Sequence, residues 1–271
     1  MESHKSWISP DQRIHKNVLS EGKNGLKPTE NCECIIDVFA STYDVKRYNE
    51  SSFIIGDSNN SFERLLDIVL TTMNKDEKAK IVFKLNEEKV EFTLKLTEFK
   101  SDGFIFEWDA KKKLELALKH KQKGIELFKG MYYVDASHRF SKAIKLLSSI
   151  PIAVDEPPTV IDGLPICEVY SLKSILYNNL ASCYLKHRNY EVVIELCNRV
   201  LQRETNNVKA MYKMAVSYYE LHDYHKALET LEYVLKLDPQ NKAAADRMKD
   251  FVQKVNETNA KVNAMFKKMF T

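Results

Sequence analysis

Asn179-Leu180-Ala181-Ser182-Cys183-Tyr184, followed by Asn189-Tyr190, Val193 and Val200, is met again as Lys213-Met214-Ala215-Val216-Ser217-Tyr218, followed by Asp223-Tyr224, Ala227 and Val234. Corresponding residues lie about 34 residues apart. The shared template is small-x-x-Tyr, then Tyr-x-x-small, then an apolar residue, and Pro239 closes the second copy. Each piece has a physical role in a pair of antiparallel helices. Small residues let the two backbones approach, tyrosines fill the space between them, and Asp238-Pro239 ends a helix because the residue before proline avoids the α region. A hairpin of this kind cannot bury its apolar face alone, so hairpins stack.

A third copy lies upstream, carried by Gly124, Leu127, Tyr133, Ala136, Phe140 and Ala143. Between it and the next copy an insert of roughly Ser148 to Cys167 holds Pro151, Pro157, Pro158, Gly163 and Pro165, which reads as a loop. The period and the template resemble the tetratricopeptide (TPR) repeat. Three copies and a final capping helix make a stable array.

Charge and composition exclude several classes. Forty-one Lys and Arg against 38 Asp and Glu give a net charge of +3, and the basic residues are interleaved with acids, so no phosphate track is expected and no nucleic-acid partner. The five cysteines are scattered. Cys183 and Cys197 fall on buried repeat positions, while Cys32 and Cys34 share a face if their segment is a strand. No His or further Cys stands near them at metal-ligand spacing, so neither metal nor cofactor is expected. Free thiols, a polar Met1 to Pro10 and no apolar run of membrane-spanning length point to the cytosol, with the nucleus as an alternative compartment, and to no membrane partner.

Residues 1 to about 100 read differently. Apolar runs are short, at Cys34–Ala40, Ser52–Ile55, Lys80–Leu85 and Val90–Leu96. In the last, Val90, Phe92, Leu94 and Leu96 alternate with Glu91, Thr93 and Lys95, the mark of a half-buried strand. Asn86 to Lys89 reads as the connection between two such strands. Phe62, Leu65, Leu66, Val69 and Leu70 have helical spacing, with Ser61 as the expected N-cap.

Val18-Leu19-Ser20-Glu21-Gly22-Lys23 with Pro28, then Phe53-Ile54-Ile55-Gly56, a short helix ending in Met73, and Lys75-Asp76-Glu77-Lys78 entering a strand, together resemble the FK506-binding-protein (FKBP) domain. Asp109 to Ala117 is similar to the linker helix of the large TPR-containing members. Lys121-Gln122-Lys123-Gly124 and the tail Ala264 to Phe270 look like the start of their first repeat and their C-terminus. The resemblance implies an α+β FKBP-like domain over residues 1–100, an antiparallel sheet plus one helix, followed by an all-α TPR superhelix over 101–271. Repeats are expected at about 114–147, 170–204 and 208–238, then a C-terminal capping helix.

FKBP domains catalyse rotation about X-Pro bonds, a slow step in folding, in an aromatic-lined pocket. The resemblance lets the walls be compared one by one. The floor tryptophan becomes Leu66, the Val-Ile pair opening the helix becomes Phe62-Glu63, and the tyrosine of the first long strand falls on Phe39. Phe53 keeps its aromatic ring. The following hairpin is shortened to about Ser41–Glu50, and the long loop after Phe83 shrinks to the turn around Asn86 to Lys89, which removes a wall. A charge at Glu63 opposes an apolar ligand. The expectation is an inactive isomerase homologue with a filled core, the alternative being an active isomerase with an atypical pocket.

In TPR arrays that bind Hsp90 and Hsp70, Lys, Asn and Arg side chains of the first helices grip the carboxylates of a Met-Glu-Glu-Val-Asp tail. By this resemblance Lys121, Asn179, Lys209 and Lys213 form the peptide-binding groove, Lys213 standing where an arginine is usual and Ile125 where an asparagine is usual. Lys213 supplies charge without a bidentate fork, and Ile125 removes one hydrogen bond, about 1 kcal/mol. The resemblance to divergent members also implies a protein client, such as a regulatory kinase. The C-terminal helix, Ala243 to Phe270, alternates lysines with apolar residues. That is also a calmodulin-binding pattern, although capping is expected for the part before about Asn256. The expected function is a non-catalytic co-chaperone or scaffold.

Overall fold

The computed structural model describes residues 5–41, 48, 51–85, 87–153, 155 and 158–269. They form two compact units, divided between Asp109 and Ala110.

The N-terminal unit is a six-stranded antiparallel sheet with one helix. Its strands are β1 (Ser6–Ile8), β2 (Ile14–Ser20), β3 (Glu33–Ser41), β4 (Ser51–Ile54), β5 (Lys78–Leu85) and β6 (Glu88–Lys100), in spatial order β1-β2-β5-β6-β3-β4. Helix α1 (Ser61–Thr72) packs its Phe62, Leu65, Leu66, Val69 and Leu70 face into the core. The alternation expected of β5 and β6 is present: Ile81, Phe83, Val90, Phe92, Leu94 and Leu96 all point inward. The N-cap of α1 is Asn60 rather than Ser61. The Asn60 side chain accepts from the Glu63 amide at 2.9 Å, while the Glu63 carboxylate reaches back to the Asn59 amide at 2.6 Å. This is the reciprocal arrangement of a capping box, displaced by one residue. Of the shortened hairpin expected over Ser41–Glu50, only Ser41 and Tyr48 are described; Asn86 lies outside the described residues as well.

The boundary differs from the expected 100/101. Residues Ser101–Asp109 belong to the first unit because they fold onto it. The Trp108 indole donates to the Asp102 carbonyl at 2.6 Å, the Thr29 hydroxyl donates to the Gly103 carbonyl at 3.0 Å, and Asn31 donates to the Asp102 carboxylate at 2.5 Å. Trp108 is buried as a result.

The second unit is helical. Three hairpins follow one another: α2 (Ala110–Lys129) with α3 (Tyr133–Ser148), α4 (Ile166–Lys186) with α5 (Tyr190–Leu201), and α6 (Val208–Glu220) with α7 (Tyr224–Leu237). Helix α8 (Lys242–Met269) packs against α7 through Ala244 and Phe251, and the Phe251 ring lies stacked on Tyr219 at 3.6 Å. The segment similar to a linker helix, Asp109 to Ala117, is helical from Ala110 and forms the start of α2. The side chains of Ala264 and of Phe266 to Phe270 lie outside the described residues.

The small residues do what the template requires. Ala181 and Ala215 are fully buried, and a Cβ at Gly124 would come within 2.6 Å of the buried Phe140 ring. All three hairpin turns repeat one geometry. Met131, Arg188 and His222 take φ of 65°, 58° and 64°, and the next amide in each turn (Tyr132, Asn189, Asp223) donates to the carbonyl five residues back. That is a Schellman-type C-cap. Buried polar groups are tied as well: Lys113 donates to the Ser149 carbonyl at the end of α3, and Arg139 donates to Nδ1 of His120 at 3.0 Å.

The insert holds a small hairpin, β7 (Val160–Ile161) and β8 (Leu164–Pro165), around Asp162-Gly163. Both turn residues have positive φ, which an Asp-Gly pair tolerates. The Asp162 carboxylate accepts from the Ala110 amide at 2.9 Å and so caps α2. No helix among the described residues is long and apolar enough to cross a membrane.

Candidate functional site

The isomerase-pocket positions do not stay together. Phe53, Phe62 and Leu66 are buried in the core of the N-terminal unit. Phe39 is on the other face of the sheet, 44% exposed, with the Lys78 ammonium 4.6 Å above its ring. The reason is the strand period of two: Cys34, Ile36 and Val38 point inward, so Phe39 points out. Phe39 is therefore removed from the pocket set.

Where a pocket would need space there are rings. Phe62 stacks on Tyr48 at 5.5 Å and meets Phe83 at 5.2 Å and Phe92 at 5.7 Å, while Phe83 and Phe92 are in contact at 5.2 Å. Tyr48, which the sequence did not single out, also meets Phe53 and donates its hydroxyl to Glu63 at 2.9 Å. Glu63 is thus occupied twice, by a helix cap and by Tyr48. Burial pushes the thiols of Cys34, Cys183 and Cys197 up, to about 12, 12 and 11, so none is a nucleophile near neutral pH.

The groove residues come from the first helix of each hairpin, Lys121 from α2, Asn179 from α4, and Lys209 and Lys213 from α6. Asn179 lines a cleft of about 300 Å³ with Ser182, Ile125, Phe128, Lys129 and Phe140. Lys121 stands one turn before Ile125, and Lys209 is exposed. Lys213 is partly buried. Its ammonium donates to Oδ1 of Asn178 at 3.2 Å and to the Lys209 carbonyl at 3.2 Å. Asn178 in turn donates to Asn207, which caps α6 by accepting from the Ala210 amide. Asn178 was missed in the sequence, where only the tandem Asn178-Asn179 hints at it. Desolvation pulls the Lys213 pKa below its ordinary value, the nearby Lys209 charge adds to this, and Cys197 opposes it. No carboxylate pairs with Lys213 among the described residues.

The N-terminal unit matches the family described as "BDBT FKBP like N-terminal" over residues 7–101. The C-terminal TPR-containing domain of an FK506-binding protein of Plasmodium falciparum superposes with a TM-score of 0.51 at 26% identity, covering 58% of this chain and 99% of that one. The chain is an FKBP-like domain followed by a TPR array. Within the array, residues 168–234 also match the family of anaphase-promoting complex, cyclosome, subunit 3. Over the whole length, the mouse "FK506-binding protein-like" is 27% identical across 269 residues, 98% of this chain and 73% of the relative. Drosophila melanogaster FK506-binding protein 59 is 29% identical over 76% of this chain and 48% of its own length. In fold, the crystal structure of residues 1–211 of CG17282 is similar at a TM-score of 0.60 and 23% identity, covering 69% of this chain and 96% of that one.

Proposed function

We propose that the chain is a non-catalytic adaptor whose TPR groove docks the free C-terminal tail of a protein partner, a chaperone tail of the Hsp90 type first among them, while the FKBP-like domain carries no isomerase activity and serves a client such as a regulatory kinase. One observation carries the groove reading. Lys213 is a partly desolvated cation, held in place by Asn178 and the α6 backbone, beside a helix whose Asn179 lines a cleft, and no carboxylate among the described residues neutralises it. A buried charge without a counter-ion is costly, and an arriving carboxylate offsets that cost. The inactive reading of the first domain is supported by the ring-filled space around Phe62.

The test is calorimetric titration of the full chain with Met-Glu-Glu-Val-Asp. The expected result is a Kd on the order of micromolar, lost in Lys209→Glu. Equal binding by wild type and variant, or binding by neither, overturns the groove reading. Turnover of an X-Pro peptide above background would overturn the inactive reading.

The same titration should depend on pH. In the free protein the Lys213 pKa lies below 10.5; a docked carboxylate raises it. Affinity is therefore full below the free-state pKa and declines as pH rises through it, because binding then requires proton uptake. Lys213→Arg, which stays charged, should bind with a flatter profile as pH rises toward 10.5. Parallel profiles would show that Lys213 does not meet the tail.

A further inference from the structure

The three hairpin turns share one backbone, so their side chains compare position by position. The left-handed residue is Met131, Arg188 or His222, the next is Tyr132, Asn189 or Asp223, and two further on stand Val134, Glu191 or His225. The second and third turns are polar or charged at all of these positions, and the first is apolar. Met131 is 73% exposed, Tyr132 62% and Val134 50%. Tyr132 is also the N-cap of α3 and makes no side-chain cap bond, whereas Asp223 caps α7 by accepting from the Lys226 amide. A tyrosine there forgoes the stabilisation that Asn, Asp or Ser supplies, and large apolar groups left in water forgo burial. The second turn adjoins the first through Tyr133. Its ring meets the His187 ring at 6.2 Å, and the Lys186 ammonium lies 5.9 Å above it. Lys186, His187 and Arg188 are exposed, and neither Lys186 nor Arg188 has a carboxylate partner among the described residues. Along this edge of the array an apolar turn is followed by a cationic one.

We propose that this edge docks an acidic segment of a partner protein, whose aliphatic side chains cover Met131, Tyr132 and Val134 and whose neighbouring carboxylates pair with Lys186 and Arg188. Charge complementarity names the carboxylates. The exposed turn names the aliphatic groups, because an apolar patch bordered by polar residues is an interaction surface. The two chemistries lie end to end, not as cations ringing an apolar tip, which suits a linear peptide better than the plane of an anionic bilayer. The surface does not depend on the groove reading. It shares no residue with Lys121, Asn179, Lys209 and Lys213, and it needs no terminal carboxylate.

The experiment follows the fluorescence anisotropy of a labelled peptide, acetyl-Ser-Leu-Leu-Gly-Ser-Glu-Asp-Glu-Asp-amide, titrated with the full chain. Its blocked ends withhold the terminal carboxylate that the groove would grip. The expected result is saturable binding that weakens at least about tenfold in Met131→Arg/Tyr132→Asn/Val134→Glu, and by a similar factor in Lys186→Glu/Arg188→Glu. The first variant gives the first turn the residues that the second carries on the same backbone, so it should fold, with unchanged helical circular dichroism. Replacing both leucines of the peptide by serine, or its acidic residues by lysine, should abolish binding. No saturable binding, or equal binding by wild type and either variant, overturns the proposal. Displacement by Met-Glu-Glu-Val-Asp also overturns it, by placing the peptide in the groove. Binding to phosphatidylserine vesicles that the first variant abolishes, with no binding of the peptide, overturns it in favour of a lipid surface.

Discussion

Lys16→Met is expected to destabilise the FKBP-like domain by about 3–5 kcal/mol, lowering its melting temperature by more than about 10 °C. Lys16 on β2 and Glu77 before β5 form an ion pair at 2.8 Å, with side chains only 6% and 4% exposed. Lys16 also donates to the Thr72 carbonyl at the end of α1, and the second Glu77 oxygen accepts from the Asn74 amide at 2.9 Å. One cation thus ties a strand, a helix C-terminus and the turn after it. Its removal strands the Glu77 carboxylate in a place water does not reach, and this, more than the lost bond, sets the cost. The double variant Lys16→Met/Glu77→Gln should recover most of the loss, because an amide still accepts from Asn74 and no charge is left unpaired. Trp7 and Trp108 are the only tryptophans, and both lie in this domain, so tryptophan fluorescence during urea unfolding reports on it without interference from the TPR array. A single variant as stable as wild type, or a double variant no better than the single, would overturn the account.

The same lysine explains why part of the fold was hidden in the sequence. Strand β2 presents Ile14 and Lys16 to the interior, so its inward face does not look apolar, and its pairing with β5 went unread. In β3 the difficulty is the opposite. Ile35 and Ile36 are both apolar, which leaves the parity of the strand undetermined, and the resemblance alone placed Phe39 among the pocket walls although its side chain is exposed. Trp108 joined the first domain through contacts with Asp102 and, by way of Gly103, with Thr29, which no local pattern announces. The TPR array was legible for a plain reason: each residue type recurs in the same environment, so Ala181 and Ala215 are read once and confirmed twice. The groove was legible only in part. Lys209, Lys213 and Asn179 sit on the helices expected, but the tether through Asn178 depends on α4 meeting α6, and the apolar cleft depends on Phe140 of α3 reaching the α2–α4 junction.

Phe62→Ala should cost about 3–5 kcal/mol, whereas Phe39→Ala should cost less than about 1 kcal/mol, although both positions answer to the same ancestral pocket in the sequence. The Phe62 ring is 6% exposed and touches the rings of Tyr48, Phe83 and Phe92. Removing it opens a void whose walls are strands β5 and β6 and helix α1, and aromatic contacts of this kind add about 0.5–1.5 kcal/mol each to the buried area. Phe39 loses little more than its contact with Lys78, on a face already in water. The contrast decides what the domain is. A ring that lines a ligand pocket is removed at small cost to the empty protein, since one side of it faces solvent. A ring that replaces the ligand is part of the core and cannot be removed cheaply. Tryptophan-monitored urea unfolding of the two variants measures the difference, and near-equal stabilities would restore the pocket to Phe62 and reopen the isomerase question.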